Sequence, residues 1–142
     1  MKVNEVMKVL KDHGYKSTEQ RKAIVQSIFQ DNKYLTAKDI LHQVKIIYPN
    51  ISLDTIYRNL TTLVELDLIE VNQQDGEAKY KAPCIGNHHH HMICSVCGDM
   101  SITTKCPMEI ILKDFEEDFK ILNHKFEIYG ICKKCQEKSK LL

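Results

Sequence analysis

The spacing of apolar residues predicts two amphipathic helices at the start of the chain. Gly14 is suited to end the first helix, and Ser17 with Gln20 resembles a capping box that opens the second. The positions expected to face inward are Val6, Met7 and Leu10 in the first helix and Ile24, Val25, Ile28 and Phe29 in the second.

Two more helices are predicted between Thr36 and residue 68. Thr36 with Asp39 gives a capping signal for the third helix, which Pro49 follows, and Ser52 is placed to cap the fourth. The expected inward positions are Ala37, Ile40, Leu41, Val44 and Ile47 in the third helix and Ile56, Leu60, Leu63 and Val64 in the fourth.

The fourth helix has a second face that is polar. Thr55, Arg58, Asn59 and Thr62 recur at helical spacing, with one cation and no carboxylate. After this helix, Asp75-Gly76 predicts a hairpin turn between two extended segments. Helices followed by a hairpin wing are the order of a winged helix-turn-helix, in which the helix after Ser52 would enter the major groove.

This interpretation predicts which residues contact DNA. The expected contacts are Ser52, Thr55, Tyr57, Arg58 and Asn59 from the fourth helix, with Lys16, Arg21 and Lys22 placed for phosphates. The alternative is an ordinary helical bundle with a solvated polar face, because the net charge of the chain is only +1.

Composition changes near residue 83. All six cysteines and five of the seven histidines come after that point. We therefore predict a helical domain over 1–82, a hinge over 83–87 and a metal-binding domain over 88–142. There is no long apolar run or signal peptide, so the expectation is a cytoplasmic protein without a membrane partner. Cysteines in such a compartment are more often metal ligands or free thiols than disulfides.

The strongest chemical signal is a doubled Cys-x-x-Cys. Cys94 with Cys97 and Cys132 with Cys135 supply four thiolates, the ligand set of a tetrahedral structural zinc. A single pair could equally be a redox motif, whereas two pairs in one small domain favour zinc. The alternative is four reactive or buried thiols.

Four consecutive histidines, His88 to His91, directly precede the first cysteine pair. Side chains alternate between the faces of an extended segment, so His88 pairs with His90 and His89 with His91. Each pair can donate two nitrogens to a separate metal ion, and solvated surface histidines are the alternative. The candidates for the remaining ligands are Glu70, Cys84, Glu109 and His124.

Four stretches, LTAKDIL, LDTIYRNL, HHHHMICSVCG and HKFEIYGICKKC, resemble the ferric uptake regulator family of bacterial metal-sensing repressors over nearly the whole chain. The match is best with the zinc-sensing branch of that family. The resemblance implies an α+β fold, with an N-terminal winged helix-turn-helix domain followed by a small α/β dimerisation domain. It also implies a homodimer that binds palindromic double-stranded operators of zinc-acquisition genes when zinc is bound.

The resemblance also assigns three metal sites, with one structural and one or two regulatory Zn²⁺ ions per subunit. They are a structural site of Cys94, Cys97, Cys132 and Cys135, a sensory site of Glu70, Cys84, His89 and His91, and an additional site of His88, His90, Glu109 and His124. Tyr34 stands where iron and peroxide sensors have a histidine, and the Cys84 thiolate favours zinc over ferrous iron. Glu70 stands where some zinc sensors have aspartate. Cys106 has no role in this pattern, so we expect a buried or free thiol.

Three other functions are weighed against a zinc-responsive repressor. An iron- or peroxide-sensing regulator of the same family would share the fold, and a zinc storage or delivery protein would explain the ligands but not the polar helix. An enzyme is not expected, because the chain has no HExxH, GxSxG, P-loop or zinc-deaminase pattern.

Overall fold

The structure, a computed structural model, describes residues 1–84, 88–114, 119–122 and 124–140. The chain divides into two compact units, Met1–Ile85 and Gly86–Leu142, and each is described here by itself. The division falls inside the predicted hinge over 83–87, of which residues 85–87 lie outside the described part.

The N-terminal unit contains the four helices that the apolar spacing predicts. They are α1 (Val3–Asp12), α2 (Glu19–Phe29), α3 (Ala37–Lys45) and α4 (Leu53–Glu65). One apolar core joins them, and most of the positions expected to face inward are buried in it. Ile47 is the exception and that prediction is wrong: α3 ends at Lys45, so the side chain of Ile47 is 66% exposed.

The helix starts follow the sequence signals with one correction. Oγ of Ser52 accepts a hydrogen bond of 3.1 Å from the amide of Thr55, and Thr36 caps α3 in the same way. The cap of α2, however, is Thr18 and not Ser17. Thr18 is the last residue in an extended conformation, and its Oγ1 accepts from the amide of Arg21 at 3.1 Å.

A three-stranded antiparallel sheet completes this unit. Its order is β1–β3–β2, with β1 at Leu35–Thr36, β2 at Glu70–Gln74 and β3 at Glu77–Lys81. Asp75 and Gly76 both have positive φ, 52° and 77°, as a two-residue type I′ turn requires. The predicted hairpin is therefore confirmed, whereas the short β1 strand is an addition that the sequence pattern does not show.

The C-terminal unit is built on a mixed sheet of order β5–β4–β6. Strand β4 (His90–Cys94) lies in the centre, antiparallel to β5 (Met100–Thr103) and parallel to β6 (Glu127–Gly130). The helices are a short α5 (Met108–Ile111), which a 3-10 turn continues, and α6 (Lys133–Lys140). Helices with two small sheets confirm the predicted α+β class.

Among the helices of the described residues, none combines the length and the apolar character needed to cross a bilayer.

Candidate metal centres and nucleic-acid interface

The four cysteines of the doubled Cys-x-x-Cys converge at one end of the C-terminal sheet. Cys94 ends β4, Cys97 lies in the turn that follows, Cys132 comes after β6 and Cys135 lies in the first turn of α6. Their sulfurs all lie within 4.8 Å of one another, and those of Cys97 and Cys132 are 3.8 Å apart. Neighbouring sulfurs are about 3.8 Å apart in a tetrahedron with Zn–S bonds of about 2.3 Å. The thiol geometry therefore fits a zinc ion.

Backbone amides around these sulfurs favour a thiolate. The amide of Cys132 donates to Sγ of Cys94 at 3.3 Å, and this bond, followed by one from the amide of Cys97, lowers the pKa of Cys94 to about 6. A hydrogen bond with the Cys132 side chain and burial raise the pKa of Cys135 to about 12. Binding of a divalent cation by such a thiol cluster displaces the thiol protons. That they bind zinc stays a prediction.

The histidine run forms two ring pairs, one on each side of the chain where it enters β4. The rings of His88 and His90 are 4.7 Å apart, and those of His89 and His91 are 5.1 Å apart. His90 and His91 are both buried in β4. These pairs are the ones that strand alternation predicts, so each face presents two imidazoles to its own surroundings.

His124 joins the face of His88 and His90. Its Nε2 lies 3.2 Å from Nε2 of His88, and its ring centroid lies 5.2 Å from that of His90. Three of the four residues predicted for the additional site are thus close together. The fourth, Glu109, belongs to α5, but its side chain lies outside the described part of the structure, and its role stays a prediction.

Cys106 also lies beside these three histidines. The sequence pattern did not predict this position. Its sulfur is 3.4 Å from Nε2 of His124, and the thiol is half-buried. Within the described residues, the ligand atoms of Cys106 and the three histidines all lie within 4.8 Å of one another. Register could have given a signal, because Thr103 pairs with His90 and Cys106 follows only three residues later.

Two of the residues predicted for the sensory site belong to the N-terminal unit, where a buried lysine contacts both. Nζ of Lys81 lies 2.8 Å from Oε2 of Glu70 and donates to Sγ of Cys84 at 3.2 Å. Burial lowers the pKa of Lys81, but these two partners outweigh it, and the pKa is raised above its usual value. Lys81 is therefore a cation at neutral pH. The other two predicted ligands, His89 and His91, belong to the C-terminal unit.

On the polar face of α4, some side chains are exposed to solvent and others are held by hydrogen bonds within the unit. The side chain of Arg58 is 80% exposed and pairs with Asp54 one turn earlier, at 2.8 Å. Tyr57 is also exposed, whereas the hydroxyl of Ser52 is occupied by the helix cap. Arg58 and Tyr57 can therefore reach outward without disturbing the core.

Asn59 is held within the unit at both ends of its amide. Its Oδ1 accepts from Nε of Arg21 at 2.8 Å, and its Nδ2 donates to the carbonyl of Thr55 at 2.8 Å. Arg21 also donates to the carbonyl of Lys16 and lies over the ring of Tyr15. Both Arg21 and Asn59 were predicted to contact DNA, and the structure gives them an intramolecular role as well. Lys16 is exposed and Lys22 is half-buried.

Comparison with known proteins places the chain in one family. Residues 12–129 match the family model described as the ferric uptake regulator family. The ferric uptake regulation protein of Staphylococcus epidermidis is 43% identical over 139 residues, which cover 98% of this chain and 99% of that protein. Members of this family are transcription regulators rather than enzymes, and they bind metal ions and DNA as dimers.

Two solved structures show the same fold. The ferric uptake regulator of Helicobacter pylori, described as having three functional metal binding sites, matches with a TM-score of 0.76 and 23% identity, covering 96% of this chain and 95% of that one. A zinc uptake regulator complexed with zinc and DNA matches with a TM-score of 0.62 and 19% identity, covering 99% of both chains. The predicted winged-helix domain with a dimerisation domain is thereby confirmed as the fold. From the family match and the 43% identity along nearly its whole length, the chain belongs to the ferric uptake regulator family.

Proposed function

We propose that this chain is a zinc-responsive transcriptional repressor. It binds palindromic operators of zinc-acquisition genes as a homodimer in the cytoplasm, and it does so when its sensory site is filled. The observation that carries the proposal is the division of the histidine run, which gives two imidazole pairs on opposite faces of one strand. A single metal site does not require two such pairs.

The proposed choice of metal rests on the donor atoms. The proposed ligands of the sensory site are Cys84, His89 and His91, and Glu70, which pairs with Lys81, is the weakest of the four predicted ligands. A thiolate with two imidazoles suits zinc, whereas ferrous iron in regulators prefers oxygen and nitrogen donors. The relative from Staphylococcus epidermidis is named for ferric uptake, so its name alone favours iron. The thiol of Cys84 supports zinc instead, because its soft sulfur is a donor that zinc accepts more readily than ferrous iron does.

The structural site is proposed to be a second, permanent zinc site. Its four sulfurs already lie at distances that suit a tetrahedral ion, and they join the end of β4 to the start of α6. When bound, zinc supplies a cross-link between the two ends of a small unit whose sheet has only three strands in the described residues. The sensory site can therefore gain and lose its metal while the C-terminal unit stays folded.

The proposed DNA contacts come from α4. Arg58 and Tyr57 are exposed on it, and Arg58 has a guanidinium that can bind a guanine edge with two hydrogen bonds. Lys16 and Lys22 flank the start of α2 and are placed for phosphates. Arg21 holds Asn59 in position, so these two residues present one rigid polar surface.

The positions of the proposed sensory ligands along the chain indicate how metal binding would control DNA binding. Cys84 follows the wing strand β3, whereas His89 and His91 belong to the start of the C-terminal sheet. A metal ion that took ligands from both units would limit how α4 is placed in each half of a dimer. A change from mostly incompetent to mostly competent dimers requires about 5 kcal/mol of differential binding, which a four-ligand zinc site can supply.

The proposed dimer is supported by apolar side chains on the C-terminal sheet. Met92 of β4 and Ile128 of β6 are paired neighbours on one face, and both are exposed. Ile102 of β5 and Tyr129 of β6 are exposed on the opposite face of the sheet. A small unit that exposes several large apolar side chains is suited to bury them against a second copy.

Metal-dependent DNA binding tests the proposal. The full-length dimer, with its structural metal retained, is titrated onto an AT-rich palindromic duplex at buffered free zinc, at buffered ferrous iron under anaerobic conditions, and with chelator. We expect binding with zinc and loss of binding with chelator. Stronger activation by ferrous iron than by zinc would show an iron sensor. Zinc uptake with no DNA binding in any condition would support a storage or delivery protein.

A further inference from the structure

Cys106 is placed by the fold on the histidine face of β4. Thr103, the last residue of β5, pairs with His90 across the antiparallel ladder, so the two side chains share a face of the sheet. Oγ1 of Thr103 then accepts from the amide of Lys105 at 3.3 Å, which turns the chain immediately after the strand. This turn brings the Cys106 thiol back toward His90 and its neighbours.

The distances around Cys106 match those of a tetrahedral metal site. Sγ of Cys106 is 3.4 Å from Nε2 of His124, which is 3.2 Å from Nε2 of His88. In a tetrahedron with Zn–N bonds of about 2.0–2.1 Å and one Zn–S bond of about 2.3 Å, neighbouring ligand atoms are about 3.3–3.6 Å apart. The four ligand atoms, including that of His90, all lie within 4.8 Å of one another.

The ring of His90 supplies a second, independent observation. It is only 4% exposed, and among the described residues its Nε2 is a buried nitrogen without a hydrogen-bond partner. A buried nitrogen without a hydrogen-bond partner destabilises the fold unless a ligand, such as a metal ion, binds it.

We propose that Cys106 is a metal ligand, and that it forms a His3Cys site with His88, His90 and His124 for which zinc is the best chemical match. This deepens the proposed function, because it gives the additional site a thiolate in place of, or in competition with, the Glu109 carboxylate. A soft thiolate with three imidazoles selects zinc over the harder divalent ions.

The proposed site joins three segments of the C-terminal unit. His88 and His90 belong to the central strand region, Cys106 to the loop between β5 and α5, and His124 to the segment before β6. A metal ion at this point ties that loop and that segment to the sheet. The site therefore stabilises the C-terminal unit, whether or not the chain represses transcription.

Cobalt spectroscopy distinguishes a sulfur ligand from an oxygen ligand. The full-length Cys84→Ser variant, which lacks the sensory thiolate, retains its structural zinc and receives one equivalent of Co²⁺. We expect sulfur-to-cobalt charge-transfer absorption in the near ultraviolet. When Cys106→Ser is added, we expect this band to disappear and zinc to bind the site at least tenfold more weakly. Mutation of residues that only support a metal ligand already lowers metal affinity by about ten- to a hundredfold. The matched control Glu109→Gln keeps the band.

Two results of this experiment overturn the proposal. One is bound Co²⁺ without a sulfur band in the Cys84→Ser protein. The other is a band that persists after Cys106→Ser. Neither readout involves DNA, so a failure here is distinguishable from a failure of the repressor function.

Protection from alkylation tests the same ligand in the wild-type chain and does not depend on a folded Cys106 variant. Iodoacetamide labelling of Cys106 is followed by peptide mass spectrometry as zinc is added to protein that retains its structural metal. We expect zinc to protect Cys106 in the wild type and much less in His90→Ala. Labelling that is equally fast with and without zinc contradicts the proposal.

Discussion

The ammonium of Lys81 contacts both Glu70, at 2.8 Å, and Cys84, at 3.2 Å, and these are two of the residues predicted to bind the sensory metal. Lys81 is 1% exposed, and its ammonium also lies over the ring of Tyr34. A metal ion that took the Glu70 carboxylate would leave a buried cation without its counterion, which is costly. Cys84 can bind a metal as a thiolate without breaking that ion pair.

Glu70→Gln should therefore affect the zinc response less than Cys84→Ser. We expect the half-saturating zinc concentration for DNA binding to rise by less than about tenfold in Glu70→Gln and by on the order of a hundredfold or more in Cys84→Ser. Gln replaces the counterion of the buried Lys81 by a neutral amide oxygen that still accepts a hydrogen bond, so the free energy of unfolding should fall by about 1–3 kcal/mol. DNA binding at buffered free zinc and urea unfolding measure both quantities. Equal losses in the two variants would show that Glu70 is an essential ligand.

His90→Ala and His91→Ala form a matched pair, because both rings are buried neighbours in β4 but face opposite sides. Only the face of His91 belongs to the proposed sensory site that draws ligands from both units. His91→Ala should give a folded dimer that keeps its structural zinc and no longer binds the operator. His90→Ala should keep zinc-dependent binding and shift it to higher zinc. The opposite result in an operator titration means that the two faces are assigned in reverse.

Arg58→Ala should weaken DNA binding without unfolding the protein. The side chain is 80% exposed, and its ion pair with Asp54 is an exposed i,i+4 contact worth about 0.3–0.5 kcal/mol. Losing a bidentate base contact should cost about 1–3 kcal/mol of operator affinity. Fluorescence anisotropy on the palindromic duplex and thermal unfolding separate the two effects. Lys8→Ala in α1 serves as a control for the loss of one positive charge, and an unchanged affinity in Arg58→Ala rules out a reading role.

Arg21 and Asn59 should behave as one unit in a double-mutant cycle. The hydrogen bond between them, at 2.8 Å, means that either alanine substitution also removes the partner's positioning. We expect Arg21→Ala, Asn59→Ala and the double variant to lose similar DNA affinity, with a coupling energy of about 0.5–3 kcal/mol. Additive losses would indicate two independent DNA contacts. Thermal unfolding of each variant corrects for the stability that the bond contributes, about 1 kcal/mol.

Cys97→Ser should abolish the structural site. Three sulfurs remain, and the C-terminal unit loses the cross-link between β4 and α6. We expect a protein that has no tightly held zinc and sediments as a monomer. Elemental analysis after mild chelation and analytical ultracentrifugation check this, with Cys84→Ser as the matched cysteine control. A zinc-loaded dimer of Cys97→Ser would falsify the structural assignment.

The sequence predicted the N-terminal fold well, because each local signal there agrees with the packing. Thr36 and Ser52 cap their helices, and Asp75-Gly76 turns the hairpin. The errors arose where two adjacent residues compete for one role: Ser17 and Thr18 are both able to cap a helix, and only the backbone conformation selects Thr18. Ile47 is apolar at the expected spacing, but the helix ends before it.

The sequence predicted which histidines group together, but it did not predict the tertiary contacts that Cys106 and Lys81 make with the metal-site residues. Alternation within one strand is a local property, so the two histidine pairs followed from the sequence alone. Cys106 and Lys81 act through tertiary contacts, and no spacing rule reveals those. Charged lysines are almost never fully buried without a partner, so the burial of Lys81 became informative only once Glu70 and Cys84 were found beside it.

The alternating faces of β4 also make the histidine run sensitive to insertions and deletions. A strand shifted by one residue exchanges its two sides. One residue inserted between His91 and Met92 would move the four rings out of register with the fixed Cys94, so that each imidazole pair faces the donors of the other site. Two inserted residues would restore the parity while lengthening the segment. Length variation in this part of related chains should therefore favour even numbers.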